Sequence, residues 1–241
     1  MTHDGYFDYY QELSNWDFDM FEIETETLTD WDLYDLLRGV AGADSSILDL
    51  GTGGGEKLLA FFPDCAEILG TDYSPAMIDT ARANLAKSGR SNITFRVMDN
   101  LNMDVPDNHF DVAVARHTIT DPVQLYRCLK PGGHLLLRGV DKYDCWALKK
   151  LCGNGQGYSD PVPLSIVEYE NIIAAGFRDV ELVPIHEREF FRSADEFKAF
   201  MRKVPILDVI DDKLLDAYIA DNTFDGRIRL LRRYYGISAR K

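Results

Sequence analysis

No apolar run in this chain approaches the roughly 18 residues that a membrane-spanning helix needs. The opening stretch, MTHDGYFDYYQELSN, lacks the basic-then-apolar build of an export signal. Both absences predict a cytoplasmic protein with no membrane partner. Cysteine is scarce, and Cys65, Cys128, Cys145 and Cys152 form no CxxC pair. Neither a metal site nor a disulfide framework is expected; four reduced, mostly buried thiols are. Basic charge is scarce as well: Lys and Arg number 26 against 40 Asp and Glu, a formal net charge of -14. A face that neutralises phosphates needs the opposite balance, so no nucleic acid partner is expected.

What is present is an ordinary apolar fraction of 46% in 241 residues, enough for one large domain with a sizeable core. The charge is lopsided. From Met1 to Asp35 there is no Lys or Arg, whereas Gly226 to Lys241 carries Arg227, Arg229, Arg232, Arg233, Arg240 and Lys241 with no acid. Either the two ends attract or are simply solvated, or the acidic end forms a lip that favours cationic ligands.

Strand and helix signals alternate through the middle of the chain. Strands are read at 47–50, 67–71, 93–97, 110–115, 134–140 and 177–183. Residues 6 to 40 read as helical, Glu56 to Phe62 as a short helix stopped by Pro63, and Ser74-Pro75 as a helix start closing at Gly89. Asp121-Pro122 opens another helix, which Pro131-Gly132-Gly133 ends. Ser165 with Glu168 fits a capping box for a helix closing at Gly176. Ser193 with Glu196, and Asp211 onward, look like two further helices. A last strand, 234–239, is expected to join a sheet edge. Such alternation implies right-handed βαβ units and a parallel sheet covered on both faces.

The informative stretch is ILDLGTGGGEKLLAFF, residues 47–62. An apolar strand breaks into four glycines and then resumes as a helix. Glycine there sacrifices packing and costs folding entropy, so the bare backbone serves something else. In doubly wound sheets that place, the exit of the first strand, holds a ligand. A dinucleotide fingerprint counted from Gly51 would require a glycine at position 56, which is Glu56, and a P-loop would require a hydroxyl after Lys57. Phosphate ligands are therefore disfavoured.

The spacing Asp49, Gly51, Gly53, Gly55 instead resembles the first motif of class I S-adenosylmethionine (AdoMet) methyltransferases. GTDYSPAMI, RVMDN, FDVAVARHT and YRCLKPGGHLLL follow in the order and spacing of that family, over about residues 47 to 140. The resemblance implies an α/β, Rossmann-like fold with a doubly wound, mostly parallel seven-stranded sheet. It divides the single domain into an N-terminal helical lid (1–44), an AdoMet-binding core (45–183) and a helical insert plus last strand (184–241).

The implied cofactor is AdoMet. Thr52 and the glycines would line its methionine part and Asp49 would meet its amine. Asp72 would hold the ribose hydroxyls, beside Tyr73, and Met77 would lie near the adenine. Asp99, Asn100 or Leu101 would recognise the adenine edge, and Arg116 would serve the methionine end. The bland alternatives are that Asp72 caps its turn and Asp49 braces the loop.

The expected partner is a small-molecule substrate, with His117 as the candidate catalytic base; His186 is a weaker one. Nucleic-acid amino methyltransferases usually carry Asn/Asp-Pro-Pro-Tyr where this chain reads ARHT. The Met-Asn and Ser-His-Trp elements of quinone methyltransferases are missing, so that substrate is not carried over. Tyr6, Tyr9, Tyr10 and Trp16 would form a lid, and GNGQGYSDP (153–161) a loop at the same mouth. The rival readings are a non-catalytic AdoMet-binding or partner-binding protein and an NAD-dependent oxidoreductase.

Overall fold

The computed structural model describes residues 21–241. The expected lid aromatics Tyr6, Tyr9, Tyr10 and Trp16 lie outside them. A strand, β1 (Glu24–Thr27), comes first, where the sequence reading expected helix. Its Thr and Glu alternate and every residue is exposed, so no apolar stripe holds a helix there, and backbone pairing to another strand does. Helix α1 (Leu33–Val40) follows. Asp32 caps it by accepting from Tyr34 and Asp35 N–H, and Leu33 and Leu37 are its buried side.

Then come β2 (Ser46–Leu50), α2 (Glu56–Phe61), β3 (Glu67–Asp72), α3 (Pro75–Ser88), β4 (Ile93–Val97), β5 (Phe110–Arg116), α4 (Pro122–Cys128) and β6 (Leu129–Val140). The caps match the sequence signals: Ser74 and Pro75 start α3, Gly89 (φ 73°) ends it, and Asp121 caps α4. Strand β6 starts earlier than expected. Lys130 to Gly133 already belong to the strand, with Gly132 left-handed (φ 81°), Gly133 lies against the backbone oxygen of Asp111, and α4 stops at Cys128.

The remainder is α5 (Trp146–Cys152), α6 (Leu164–Ala174), β7 (Arg178–Phe191), α7 (Ala194–Lys203), α8 (Asp212–Asn222), β8 (Thr223–Phe224) and β9 (Arg227–Arg240). The expected capping box at Ser165 does not form. Ser165 Oγ donates to Asp141 Oδ2 (2.8 Å) and Glu168 accepts from the Tyr235 hydroxyl (2.6 Å), so both side chains are engaged by the sheet. At Ser193 the box holds in part, because Ser193 Oγ accepts from Glu196 N–H.

The sheet order among the described residues is β1-β7-β9-β6-β5-β2-β3-β4, with β8 on β9, nine strands rather than the seven expected. Strands β4, β3, β2, β5 and β6 are parallel. The last long strand is not at an edge. β9 inserts between β6 and β7, antiparallel to both. Leu33, Leu37, Leu58 and Ile78 pack on one face of the parallel part, and Leu125, Ile172 and Phe177 on the other. Coverage on both faces explains why β2 and β5 read as continuous apolar runs.

β6 ends with Val140 opposite Tyr234, but β7 and β9 keep pairing, residues 186–191 with 228–233. At about 3.3 Å per residue this hairpin rises roughly 20 Å beyond the carboxyl ends of the parallel strands. Helices α5, α7 and α8 pack on it through Leu148, Phe197, Met201 and Leu215 against Phe191, Ile228 and Leu230. Of the lopsided charge, Glu24 meets Arg227 of the basic end (2.6 Å), whereas Glu26 and Glu22 pair with Arg188 and Arg192, which precede it in the chain. Cys65, Cys128, Cys145 and Cys152 are free thiols. Among the described residues no helix is long and apolar enough to cross a membrane, and no His/Cys/Asp/Glu group is placed to hold a metal ion.

Candidate functional site

The glycine loop leaves β2 at its carboxyl end. Gly51, Gly53 and Gly55 have φ of 69°, 57° and 77°, a region that L side chains avoid. Packing adds a second reason at two of them. A Cβ on Gly51 would lie 2.6 Å from Thr118, and one on Gly55 2.8 Å from the Phe95 ring. Asn84 braces the loop by donating to Gly54 O (2.9 Å), and Thr52 N–H donates to Thr71 O (2.8 Å). The turn is therefore held open as a row of backbone groups.

Two carboxylates stand beside it. Asp72, at the end of β3, accepts from Gly53 N–H (3.0 Å) and Ser74 N–H (2.9 Å). It thus ties the loop to the next turn, as the bland reading expected, and still has lone pairs to offer, since a carboxylate accepts about four bonds. Burial pushes its pKa up, against the pull of those N–H groups. Asp49 is 7% exposed and forms no ion pair among the described residues. Burial drives its pKa up to about 7, over the opposing effects of the Thr52 hydroxyl and the Arg116 charge.

That titration gives a test. The pKa of Asp49 in the folded chain lies above its ordinary 3.8, so the folded state holds the extra proton and loses stability as pH climbs between the two values. Asp49→Asn should therefore melt higher than wild type at pH 8, by about 1–2 kcal/mol, with the gap closing below pH 4. Thermal melts of both proteins across that range check it.

Past β4, Asp99 Oδ1 accepts from Leu101 N–H (2.9 Å), so its carboxylate shapes its own turn. Asn100 crosses to the next strand exit, donating to Thr118 Oγ1 (3.0 Å) and Ile119 O (3.3 Å). Its Oδ1 is buried without a partner. Tyr73, Leu101 and Ile119 stay exposed nearby in sequence to these turns. Met77 does not, at 2% exposure, so it lies beneath the surface a ligand would meet.

At the β5 exit Arg116 pairs in register with Arg138 of β6. His117 adopts φ 53°, donates its N–H to Arg138 O (2.8 Å) and stacks its ring on Tyr234 (5.2 Å between centroids, 15° between planes). The residue is exposed at the strand exit. Desolvation first, then the charges of Arg116, Arg138 and Arg232, push its pKa well below 6.5. The shift favours the neutral imidazole. His186 is elsewhere, on β7, its backbone bonded to Thr29 Oγ1.

Sequence reasoning missed the groups behind His117. Arg138 lies 4.4 Å over the Tyr234 ring and bonds Glu187 (2.7 Å). Arg232 is buried between Asp144, reached at 3.0 and 3.1 Å, and Glu189, reached at 2.9 and 3.0 Å. Tyr34, from α1, stacks on Phe61 (4.8 Å). The signal was the alternation I-R-L-L-R-R-Y from 228 on, which puts Ile228, Leu230, Arg232 and Tyr234 on one face of a strand. The loop at 153–161 is not loose: Asn154 Oδ1 accepts from Asp208 and Val209 N–H, and Lys149 Nζ holds Gln156 O (2.7 Å).

Residues 47–133 match the family model of a methyltransferase domain. The Bacillus subtilis protein described as uncharacterized methyltransferase YcgJ is 32% identical over 108 residues, 42% of this chain and 42% of its own. Myxococcus xanthus protein-L-isoaspartate O-methyltransferase is 32% identical over 96 residues, 39% of this chain and 45% of its own. The match spans less than half the length of these curated relatives. In three dimensions the B. subtilis YcgJ structure is similar at a TM-score of 0.56 and 20% identity, covering 87% of this chain and 97% of that one. A Haemonchus contortus phosphoethanolamine N-methyltransferase 2 in complex with AdoMet gives 0.55 and 20%, covering 88% and 52%. Strand order, glycine turn and family-model match agree over the same residues: residues 47–133 match a methyltransferase domain, and the chain has the Rossmann-like fold of the methyltransferase structures it resembles.

Proposed function

We propose that the protein transfers a methyl group from AdoMet to a small molecule. The observation that carries this is the left-handed glycine turn flanked by the buried, ion-pair-free carboxyl of Asp49 and by Asp72. The residues suit the cofactor. Among the described residues Asp49 meets no cation, and it would gain one in the ammonium group. Asn100 Oδ1 lacks a donor among the described residues and would gain one at the adenine edge. Asp72 has acceptor capacity left for a diol. The turn's first helical residue, Glu56, repels a pyrophosphate, so a phosphate-bearing dinucleotide fits worse.

AdoMet, when bound, supplies an electrophilic methyl group on a sulfonium. The chain positions the acceptor against it and excludes water, which for such an in-line displacement is most of what catalysis requires. His117, neutral and facing the space beside Tyr234, would take a proton where the acceptor carries one. The net charge of -14 and the absence of Asn/Asp-Pro-Pro-Tyr at the β5 exit favour a small molecule over nucleic acid.

Calorimetry with S-adenosylhomocysteine tests the reading, with NAD as control. Binding of the former and not the latter is expected; the reverse sinks the proposal. Asp72→Ala should weaken binding of S-adenosylhomocysteine by about 10- to 100-fold, from lost hydrogen bonds and a released Gly53 N–H. Unchanged affinity would remove Asp72 from the site.

A further inference from the structure

We propose that the methyl acceptor is an oxyanion, the charged oxygen of a carboxylate or acidic hydroxyl, and that Arg138 selects it. The proposal rests on the methyltransferase reading above and names its substrate class.

Arg116 and Arg138 are register partners on neighbouring parallel strands, so their side chains leave the same face side by side. Like charges so placed repel unless something negative lies between them. Glu187 answers Arg138 on one side only, and Arg138 Nε is buried with no partner. Arg116 has no ion pair among the described residues. Arg232, 5.0 Å from the Tyr234 ring, is already answered by Asp144 and Glu189. Among the described residues, Arg116 beside the His117–Tyr234 stack thus meets no anion, and Arg138, held by Glu187 and the Tyr234 ring, keeps its Nε without an acceptor. The carboxylate of the donor's own methionine part accounts for Arg116. Nothing already described accounts for the buried Nε of Arg138.

The cleft there, about 340 Å³, is lined by Tyr34, Lys57, Phe61, Arg116 and Arg138 together with Asp32, Asp35 and Arg38. Asp32 is spent on the α1 cap and Asp35 on Arg38. The lining is thus aromatic and cationic inside an acidic protein, which suits a flat organic acid.

The reaction has the same preference. A lone pair on the acceptor oxygen forms the new C–O bond, the C–S bond breaks with its electrons to sulfur, and the sulfonium becomes a neutral thioether. With an oxyanion, opposite charges cancel beside the guanidinium groups. With a neutral amine, the product would hold a new positive charge next to Arg116 and Arg138, against Coulomb repulsion that low-dielectric surroundings strengthen. An acceptor arriving as a hydroxyl gives its proton to His117, and a carboxylate has none to give.

The probes are benzoate and benzylamine, matched in size and opposite in charge. Each is titrated calorimetrically into protein saturated with S-adenosylhomocysteine. Benzoate should bind at least about tenfold more tightly, the worth of one charge-assisted hydrogen bond. The double variant R138Q/E187Q, which removes the pair without stranding either charge, should abolish that preference. Equal or tighter binding of benzylamine, or a preference that survives in the double variant, overturns the proposal. The affinity for S-adenosylhomocysteine, measured first on the same preparations, separates the two claims. Its absence sinks the methyltransferase reading, whereas its presence without acid preference sinks only this one.

Discussion

Asp144→Ala should lower folding stability by about 3–5 kcal/mol, the cost of stranding a buried charge. Asp144 is 1% exposed, takes both Nε and one terminal nitrogen of Arg232, and also accepts from Arg233 N–H (2.8 Å). Alanine leaves a buried guanidinium with Glu189 alone and the Arg233 amide without an acceptor. For a chain of this length the melting temperature should fall by roughly 10 °C. Asp144→Asn keeps an acceptor for the amide and should lose less. Replacing Asp144, Arg232 and Glu189 together by apolar residues of similar volume should be milder than the single alanine, because desolvation of the whole cluster is relieved. Chemical denaturation of the three proteins decides it, and an Asp144→Ala loss under 1 kcal/mol would show that the cluster is more hydrated than its burial indicates.

Gly53→Val should reduce binding of S-adenosylhomocysteine by more than about 100-fold while leaving a folded protein. A β-branched residue at φ 57° is strained by about 1–2 kcal/mol. The turn's relaxation would carry the Gly53 N–H away from Asp72 and put methyl groups on the face the cofactor needs. The melting temperature should drop only a few degrees. Gly53→Ala should fall between. Circular dichroism and calorimetry on the same samples separate the effects, and normal binding by Gly53→Val would mean that the turn is not the cradle.

The parallel half of the sheet was legible because its strands are buried on both faces. ILDL and FDVAVA announce themselves as apolar runs, and Gly, Pro, Ser and Asp punctuate them at caps that the structure reproduces at Ser74, Gly89 and Asp121. The glycine turn and its carboxylates were legible for the same local reason. What failed was the part whose partners are distant. ETET has no apolar side to betray a strand, and only pairing with β7 makes it one. β7 and β9 were read short because beyond Val183 and before Tyr234 they carry charges. Those charges are answered across strands, Glu187 by Arg138 of β6 and Glu189 by Arg232. Ser165 and Glu168 have the spacing of a cap, but Asp141 and Tyr235 outbid the helix for them. Glu187, Glu189 and Arg232 lie on these misread segments, so the ion pairs behind His117 stayed hidden while the glycine turn did not.

The insertion of β9 between β6 and β7 has a consequence for assembly. Until residues 227–240 arrive, β6 and β7 each present an open row of amides and carbonyls to solution. The partners they await are about a hundred and about fifty residues away along the chain, a separation that slows closure. The central seam of the sheet is therefore the last to close, and refolding at high concentration should divert material into aggregates at that step, with losses that grow with protein concentration.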